Sequence, residues 1–581
     1  MRKKRSFFIL LTFLILLFIS AGFYSFLGPV PSENRRFDTY TEEFFCQEVS
    51  GNTISLHYTL KDPSKYNIKN APVTLGYYST DSDARCASVE NALALLTSHN
   101  RAKLTEENQL TYDVLEHYLT SSLEQARYAL YEEPLAPLTG VQAQLPVLLS
   151  EYQFYNKEDA DTYLKLLAQT PEYFQSILDF EKEKSRQKLF MSESRADAII
   201  TECKKFISLQ ENNYLYSSFE ERINDLNLPS GEREIYLKKN KDYIRQYVLP
   251  AYQMLADGIR SLRSTGTNNG GLCNLPEGAK YYESVVAGET GSSRSISELQ
   301  ELTQKQMITD LTETQKILAK NTSENISPPS DLFKAQGAAL EDSNPTSILS
   351  SLQGKLKGIF PAPPKVNIQI KYVEKSMEEY LSPAFYMIPA IDSTKNNIIY
   401  LNPGHLPDDI SLYTTLAHEG YPGHLYQNVY FAEQNPHPIR SLLSFGGYVE
   451  GWATYSEMMS YYFAPVKKEY ASLMQHNTSL LLGLYALADM GIHYDGWSLI
   501  DTVQFFRGYG ITDTDAISEI YDLILSDPAN YLKYYIGYLE FLELKKDAVE
   551  KWGKNFTQER FHKAVLDVGP APFDVVRDYI F

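Results

Sequence analysis

Cysteine is scarce and dispersed, with four in 581 residues: Cys46, Cys86, Cys203 and Cys273. None stands in a Cys-x-x-Cys pair or beside the histidine-rich stretch of the chain, which argues against a cysteine-based metal site. The even count permits two disulfides in one of three pairings, and four buried thiols are the alternative. Positive charge is the minority sign, with 54 Lys and Arg against 73 Asp and Glu for a formal net charge of -19. Part of that small positive complement is spent in the first five residues, so nucleic acid is not expected as a partner. The glycine-rich run at 265–271 has no strand before it and no Lys-Ser/Thr after it. It is therefore a turn or linker and not a phosphate loop.

At the N-terminus a basic cluster, Arg2 to Arg5, precedes a 21-residue apolar run from Phe7 to Leu27. As a helix this run spans about 31 Å, enough for a bilayer core. The basic flank places the N-terminus in the cytoplasm and everything after about residue 30 outside it. An uncleaved signal anchor is favoured over a cleaved signal peptide, for which Ser20-Ala21-Gly22 offers small residues. No cysteine ends the run, which argues against an N-terminal lipid anchor.

Residues 85 to 264 read as successive amphipathic helices. Leu115, Leu119, Leu123, Ala126 and Leu130 recur at helical steps, as do Ile244, Val248, Tyr252, Leu255, Ile259 and Leu262,. Ser295-Ile296-Ser297-Glu298 has the form of a capping box. From Val366 the period changes to two through Ile368, Ile370 and Tyr372, and residues 384–389 and 397–402 read as two further short strands. The expected fold is mainly α, with a small β-sheet next to the helix described below. The chain divides into a signal segment at 1–30, an N-terminal helical region at 31–270 and a catalytic region at 271–581.

The densest chemistry lies in Leu416-Ala417-His418-Glu419-Gly420-Tyr421-Pro422-Gly423-His424. Two His four residues apart on a helix share a metal-binding face, but a spacing of six turns about 600° and points the second ring about 120° away. Pro422-Gly423 sits inside the gap, and a bulge there would return His424 to the face of His418. Glu450 follows 26 residues after His424, where a third ligand on a separate helix completes a His, His, Glu site with one position left for water. Glu457 shares its helix face. Asp408 stands where the metal helix needs an N-cap, and the sheet just before it is a candidate rest for an extended peptide. His405 and His437 are read as ordinary loop histidines. The apolar pattern from Thr478 to Phe506 predicts one long helix that sets Asp489 and His493 on one face, so that the Asp would orient the His.

His-Glu-x-x-Pro-Gly-His followed by Glu-Gly-Trp-Ala-x-Tyr-x-Glu resembles the bacterial family called domain of unknown function 885, regarded as zincin-like zinc metallopeptidases. Gly271-Leu272, Leu275-Pro276-Glu277-Gly278 and Tyr281-Tyr282 resemble further family segments, as does Asp489-Met490-Gly491-Ile492-His493. Near the C-terminus Tyr534 and Gly537 match the family pattern, whereas its Gly-Gln pair is replaced by Ala529-Asn530. The resemblance implies Zn²⁺ held by His418, His424 and Glu450, with Glu419 as general base. His493 or Tyr534 would donate to the oxyanion. The expected partners are a peptide or small amide substrate, and the membrane through the N-terminal segment. The rival readings are a zinc amidase or esterase on a non-peptide substrate and an anchored, non-catalytic binding protein with a degenerate site.

Overall fold

The computed structural model describes residues 32–321 and 340–581, apart from 374, 376, 377, 379, 380 and 444. The expected membrane segment lies outside the described residues; among those described, no helix is long and apolar enough to cross a membrane. The fold is mainly helical. Helices α1 (Glu33–Ser50), α2 (Glu106–Ala126), α3 (Lys157–Arg186) and α4 (Glu193–Ser208) each open on a polar cap. Ser32, Thr105, Asn156 and Ser192 accept from the backbone N–H three positions on, which satisfies a donor that the helix itself leaves free,. Helix α5 (Leu249–Leu262) follows a π turn at Ile244–Val248 and buries Tyr252, Leu255 and Ile259, as its periodicity predicts. After α6 (Gly278–Thr290), helix α7 (Ile296–Asn321) begins with the expected capping box. The Ser295 N–H donates to Glu298 Oε2 at 2.8 Å, and the Glu298 N–H returns to Ser295 Oγ at 3.4 Å,.

The described residues pack into two apolar cores, and these do not divide at residue 270. Helices α3, α4 and α5 bring Leu167, Phe174, Ile199 and Leu255 together in one core. Phe37 and Phe45 of α1 and Leu115 and Leu119 of α2 join Tyr282, Trp452 and Phe541 in the other. The first two of these helices thus belong by packing to the chain after residue 271, because their apolar faces are covered there. All four cysteines are free thiols.

The three expected strands form one sheet in the order β1-β3-β2, with β1 (Asn367–Tyr372) parallel and β2 (Ala384–Met387) antiparallel to the central β3 (Asn396–Leu401). Strand β2 is the edge that meets helix α8 (Ile410–Glu419), which carries His418 and Glu419. The N-cap of α8 is Asp409 rather than Asp408. Its carboxylate accepts from the Ser411 N–H at 2.8 Å.

Helices α9 (His424–Glu433), α10 (Gly446–Ser460), α11 (Lys468–Met490) and α12 (Asn530–Trp552) complete the frame of the site. The single helix expected over 478–506 is broken. After α11 a π turn covers Gly491–Asp495, and Gly496 at φ +80° reverses the chain before a separate helix at Leu499–Gly508. The return folds the Trp497 ring onto Gly491, where a Cβ would come within 2.3 Å of it. Helices α10 and α12 cross backbone to backbone: a Cβ on Gly451 would lie 2.4 Å from the carbonyl carbon of Gly537, and one on Gly537 would lie 2.0 Å from Gly447 O,.

Asp489 anchors the start of α12 instead of orienting His493. Its carboxylate accepts from the Tyr282 hydroxyl at 2.6 Å and from the Ala529 N–H at 3.1 Å. The group is fully buried among neutral donors, and burial pushes its pKa from 3.8 up to about 8 although those bonds oppose the rise,. A carboxyl raised in the folded state holds a proton that the unfolded chain releases near pH 4, so its contribution is complete below that pH and is lost as pH rises toward 8. Asp489→Asn keeps an acceptor without the charge. Denaturant unfolding at a series of pH values is expected to show the variant gaining on the parent as pH rises from 4 to 8; a constant difference would refute this.

Candidate metal centre

The six-residue spacing is met by two helices, not by a bulge within one. Helix α8 stops at Glu419 and α9 starts at His424, joined by Gly420-Tyr421-Pro422-Gly423. The joint folds back on the end of α8: the Gly423 N–H donates to Ala417 O at 2.9 Å, and the Tyr426 N–H to Gly420 O at 3.1 Å. Gly423 sits so close that a Cβ would lie 1.8 Å from His418 O, while Pro422 has no N–H that would need an acceptor at the break,. Pro422 O is itself bound from α10, by Trp452 Nε1 at 2.8 Å and Ser456 Oγ at 3.2 Å. The helix that carries Glu450 therefore fixes the turn that sets the two imidazoles.

The result is convergence. The rings of His418 and His424 lie 4.8 Å apart and nearly perpendicular. Both present Nε2 to one oxygen, Glu450 Oε2, at 3.6 and 3.2 Å. Two ligand atoms on a tetrahedral zinc with arms of about 2.0–2.1 Å lie about 3.3–3.4 Å apart, and the observed separations bracket that edge. His418 Nδ1 lies 3.1 Å from Glu457 Oε2. A carboxylate there holds the proton on Nδ1 and turns the Nε2 lone pair toward the shared position, so the donor set fits a zinc ion.

Glu419 stands beside this group. One of its carboxylate oxygens and the His418 and His424 nitrogens all lie within 4.8 Å of one another, so two carboxylates stand close to the two imidazoles. Glu450 makes the shorter approach, whereas Glu419 is drawn toward the sheet, where its Oε2 accepts from the Tyr386 N–H of β2 at 2.8 Å. Burial raises the pKa of Glu419, against the pull of His424, His418 and that N–H. For Glu450 burial acts upward too, but the bonds to His418 and His424 prevail and hold its carboxyl well below the usual range. Burial acts to lower His418, but its bonds to Glu450 and Glu457 raise it well above the ordinary imidazole range,.

The Tyr534 ring stacks on His418 with centroids 6.3 Å apart. Burial, then the charges of Glu450 and Glu419, raise its pKa, so the phenol stays protonated and is a donor at the site. His493 is not placed with them. Its Nδ1 accepts from the Leu272 N–H at 3.2 Å and its Nε2 lies 2.9 Å from Ile524 O, so main-chain groups occupy both nitrogens. The π turn after α11 directs it there, and the oxyanion role expected of it is withdrawn. His437 is satisfied by Asn108 Oδ1 at 2.6 Å, and His405 is exposed, in keeping with ordinary loop histidines.

The family described as "Bacterial protein of unknown function (DUF885)" matches residues 74–580. The chain belongs to this family. Among solved structures, a "putative lipoprotein" from Colwellia psychrerythraea is similar to this DUF885 chain at 18% identity and a TM-score of 0.83, covering 95% of this chain and 99% of that one. One of unknown function from Shewanella oneidensis is similar at 17% identity and a TM-score of 0.65, covering 93% and 98%. At these identities the likeness establishes a shared fold. No curated protein matches the chain.

Two parts of the DUF885 site escaped sequence reasoning. The seven-residue spacing sets Glu457 on the face of Glu450, but spacing alone gives it no role. The Tyr386 N–H is a main-chain donor and leaves no side-chain signal. Gly423→Ala forces a methyl group against the His418 carbonyl, and a loss of more than about 2 kcal/mol is expected by denaturant unfolding,. A change within about 0.5 kcal/mol would show that the turn has room to relax.

Proposed function

We propose that this protein is an extracytoplasmic zinc-dependent hydrolase with a zincin-like site, a metallopeptidase that cleaves peptide bonds. The observation that carries the reading is the pair of Nε2 atoms facing Glu450 Oε2, with a second carboxylate, Glu419, beside them. His418, His424 and Glu450 would hold the ion and Glu457 would fix the tautomer of His418. When bound, zinc lowers the pKa of a coordinated water toward neutrality and polarises the scissile carbonyl.

Glu419 takes the proton of the attacking water, its Oε2 held steady by the Tyr386 N–H,. Burial keeps this carboxyl basic enough to accept that proton and to deliver it to the amine nitrogen as the C–N bond breaks. The Tyr534 hydroxyl donates to the carbonyl oxygen as negative charge grows there. Strand β2, which lends its N–H to Glu419, is the edge along which an extended peptide would lie. The signal segment and the exported position expected from the basic flank give the catalytic region its extracytoplasmic setting.

Metal analysis of the zinc-reconstituted protein is expected to give about one zinc per chain, lost in His418→Ala; no metal in the parent would end the reading. Glu419→Gln is expected to retain the metal and lose turnover of a peptide library by at least about 100-fold, and full activity in that variant would remove the role given to Glu419. Glu457→Gln is expected to weaken zinc binding about 10- to 100-fold in a competition titration with a chelator, and unchanged affinity would dismiss Glu457 as a support of His418.

A further inference from the structure

A cavity of about 690 Å³ opens from the metal centre, its lining including His424, Asn428 and Phe431 of α9, Tyr386 and Ile388 at the outer edge of the sheet, and Arg440. Arg440 lies on the short turn between α9 and α10 and is only 3% exposed. Its Nη2 donates to Val568 O and Pro570 O, both at 2.9 Å, and its guanidinium lies over the Phe431 ring at 5.5 Å. Its Nε is buried with no hydrogen-bond partner. Among the described residues no carboxylate comes within ion-pair distance of it, and Glu107 is the sole carboxylate of the cavity lining. Burial lowers its pKa to about 10, which still leaves it charged at neutral pH.

A buried cation without a counter-ion is costly, and a guanidinium whose Nε–H has no partner has a charged donor left for a carboxylate,. Its place in the groove sets a length. Phe431 is seven residues along α9 from His424, about 10 Å at 1.5 Å per residue. Two to three extended peptide residues span about 7–11 Å.

On the basis of the peptidase reading above, we propose that Arg440 binds the C-terminal carboxylate of the substrate, so that the enzyme acts from the free C-terminus of a peptide and releases two or three residues. An anion held there places the preceding backbone between α9 and the edge of β2. Arg440 is then a substrate-binding residue, and the Phe431 ring and the two carbonyls at 568 and 570 hold its guanidinium in place.

The test compares N-acetyl-trialanine bearing a free carboxylate with the same peptide as the C-terminal amide. Calorimetry on the zinc-loaded full chain of Glu419→Gln, which prevents turnover, gives the affinities; the active parent gives kcat/KM for a longer acid and amide pair. The acid is expected to bind about 10-fold or more tightly than the amide, the effect of one hydrogen bond between charged groups. That preference should vanish when Arg440→Gln is added. Where Arg440→Gln fails to fold, Arg440→Lys, which keeps charge without the fork, is expected to keep part of the preference. Equal binding of acid and amide, no binding of either, or a preference indifferent to position 440 overturns the proposal. Acid-selective binding without cleavage by the parent would instead sink the peptidase reading and leave the anion site. Cleavage of both forms at equal kcat/KM would do the reverse.

Discussion

A single carbonyl oxygen, that of Pro422, ties the site together. It belongs to the turn that separates the two histidines, and it is held by Trp452 and Ser456 of the helix that supplies Glu450. Neither donor is free to leave. Trp452 is fully buried against Phe360 and Phe541, and Ser456 faces inward on the same helix. An indole N–H without its acceptor here would cost about 1–3 kcal/mol, so the turn and α10 are set by the same bond. The imidazole spacing and the carboxylate position are thus consequences of one contact rather than separate designs.

Around that contact charge is concentrated among half-buried side chains. Glu419, Glu450 and Glu457 surround two imidazoles, and the apolar core of α10 and α12 lies beneath them. Carboxylates so close repel one another unless positive charge lies between them. His418 answers part of this by facing Glu450 with one nitrogen and Glu457 with the other. A divalent cation at the shared position would answer the rest, which is why the same geometry that looks costly as a bare cluster looks economical as a metal site.

The sequence made much of this legible where chemistry and periodicity act over short range. The change of period at Val366 announced the sheet, the Ser295-to-Glu298 spacing announced a helix start, and the His, Glu and Glu spacings named the cluster. What misled was distance. Asp489 and His493 look like a pair because four residues separate them, yet the close fit of Trp497 against Gly491 makes a π turn that sends the His to a different set of partners. Likewise the linker at 265–271 reads as a boundary, but burial of Phe37 and Leu115 beside Trp452 is decided by faces that meet only in three dimensions. Arg440 carries no local signal at all: its interest arises from the carboxylate it lacks.

The crossing of α10 and α12 has a mechanical meaning. Gly447 and Gly451 meet Gly537 with no side chain between the two backbones. Side-chain interfaces can shear by exchanging rotamers, but here there are no rotamers to exchange, and sliding by even one residue would bring a Cβ into a carbonyl. Glu450 adjoins Gly451, and Tyr534 lies less than one turn from Gly537, so the two groups ride on one stiff plate. Any breathing of the cavity must come from the opposite wall, where β2 and α9 border it.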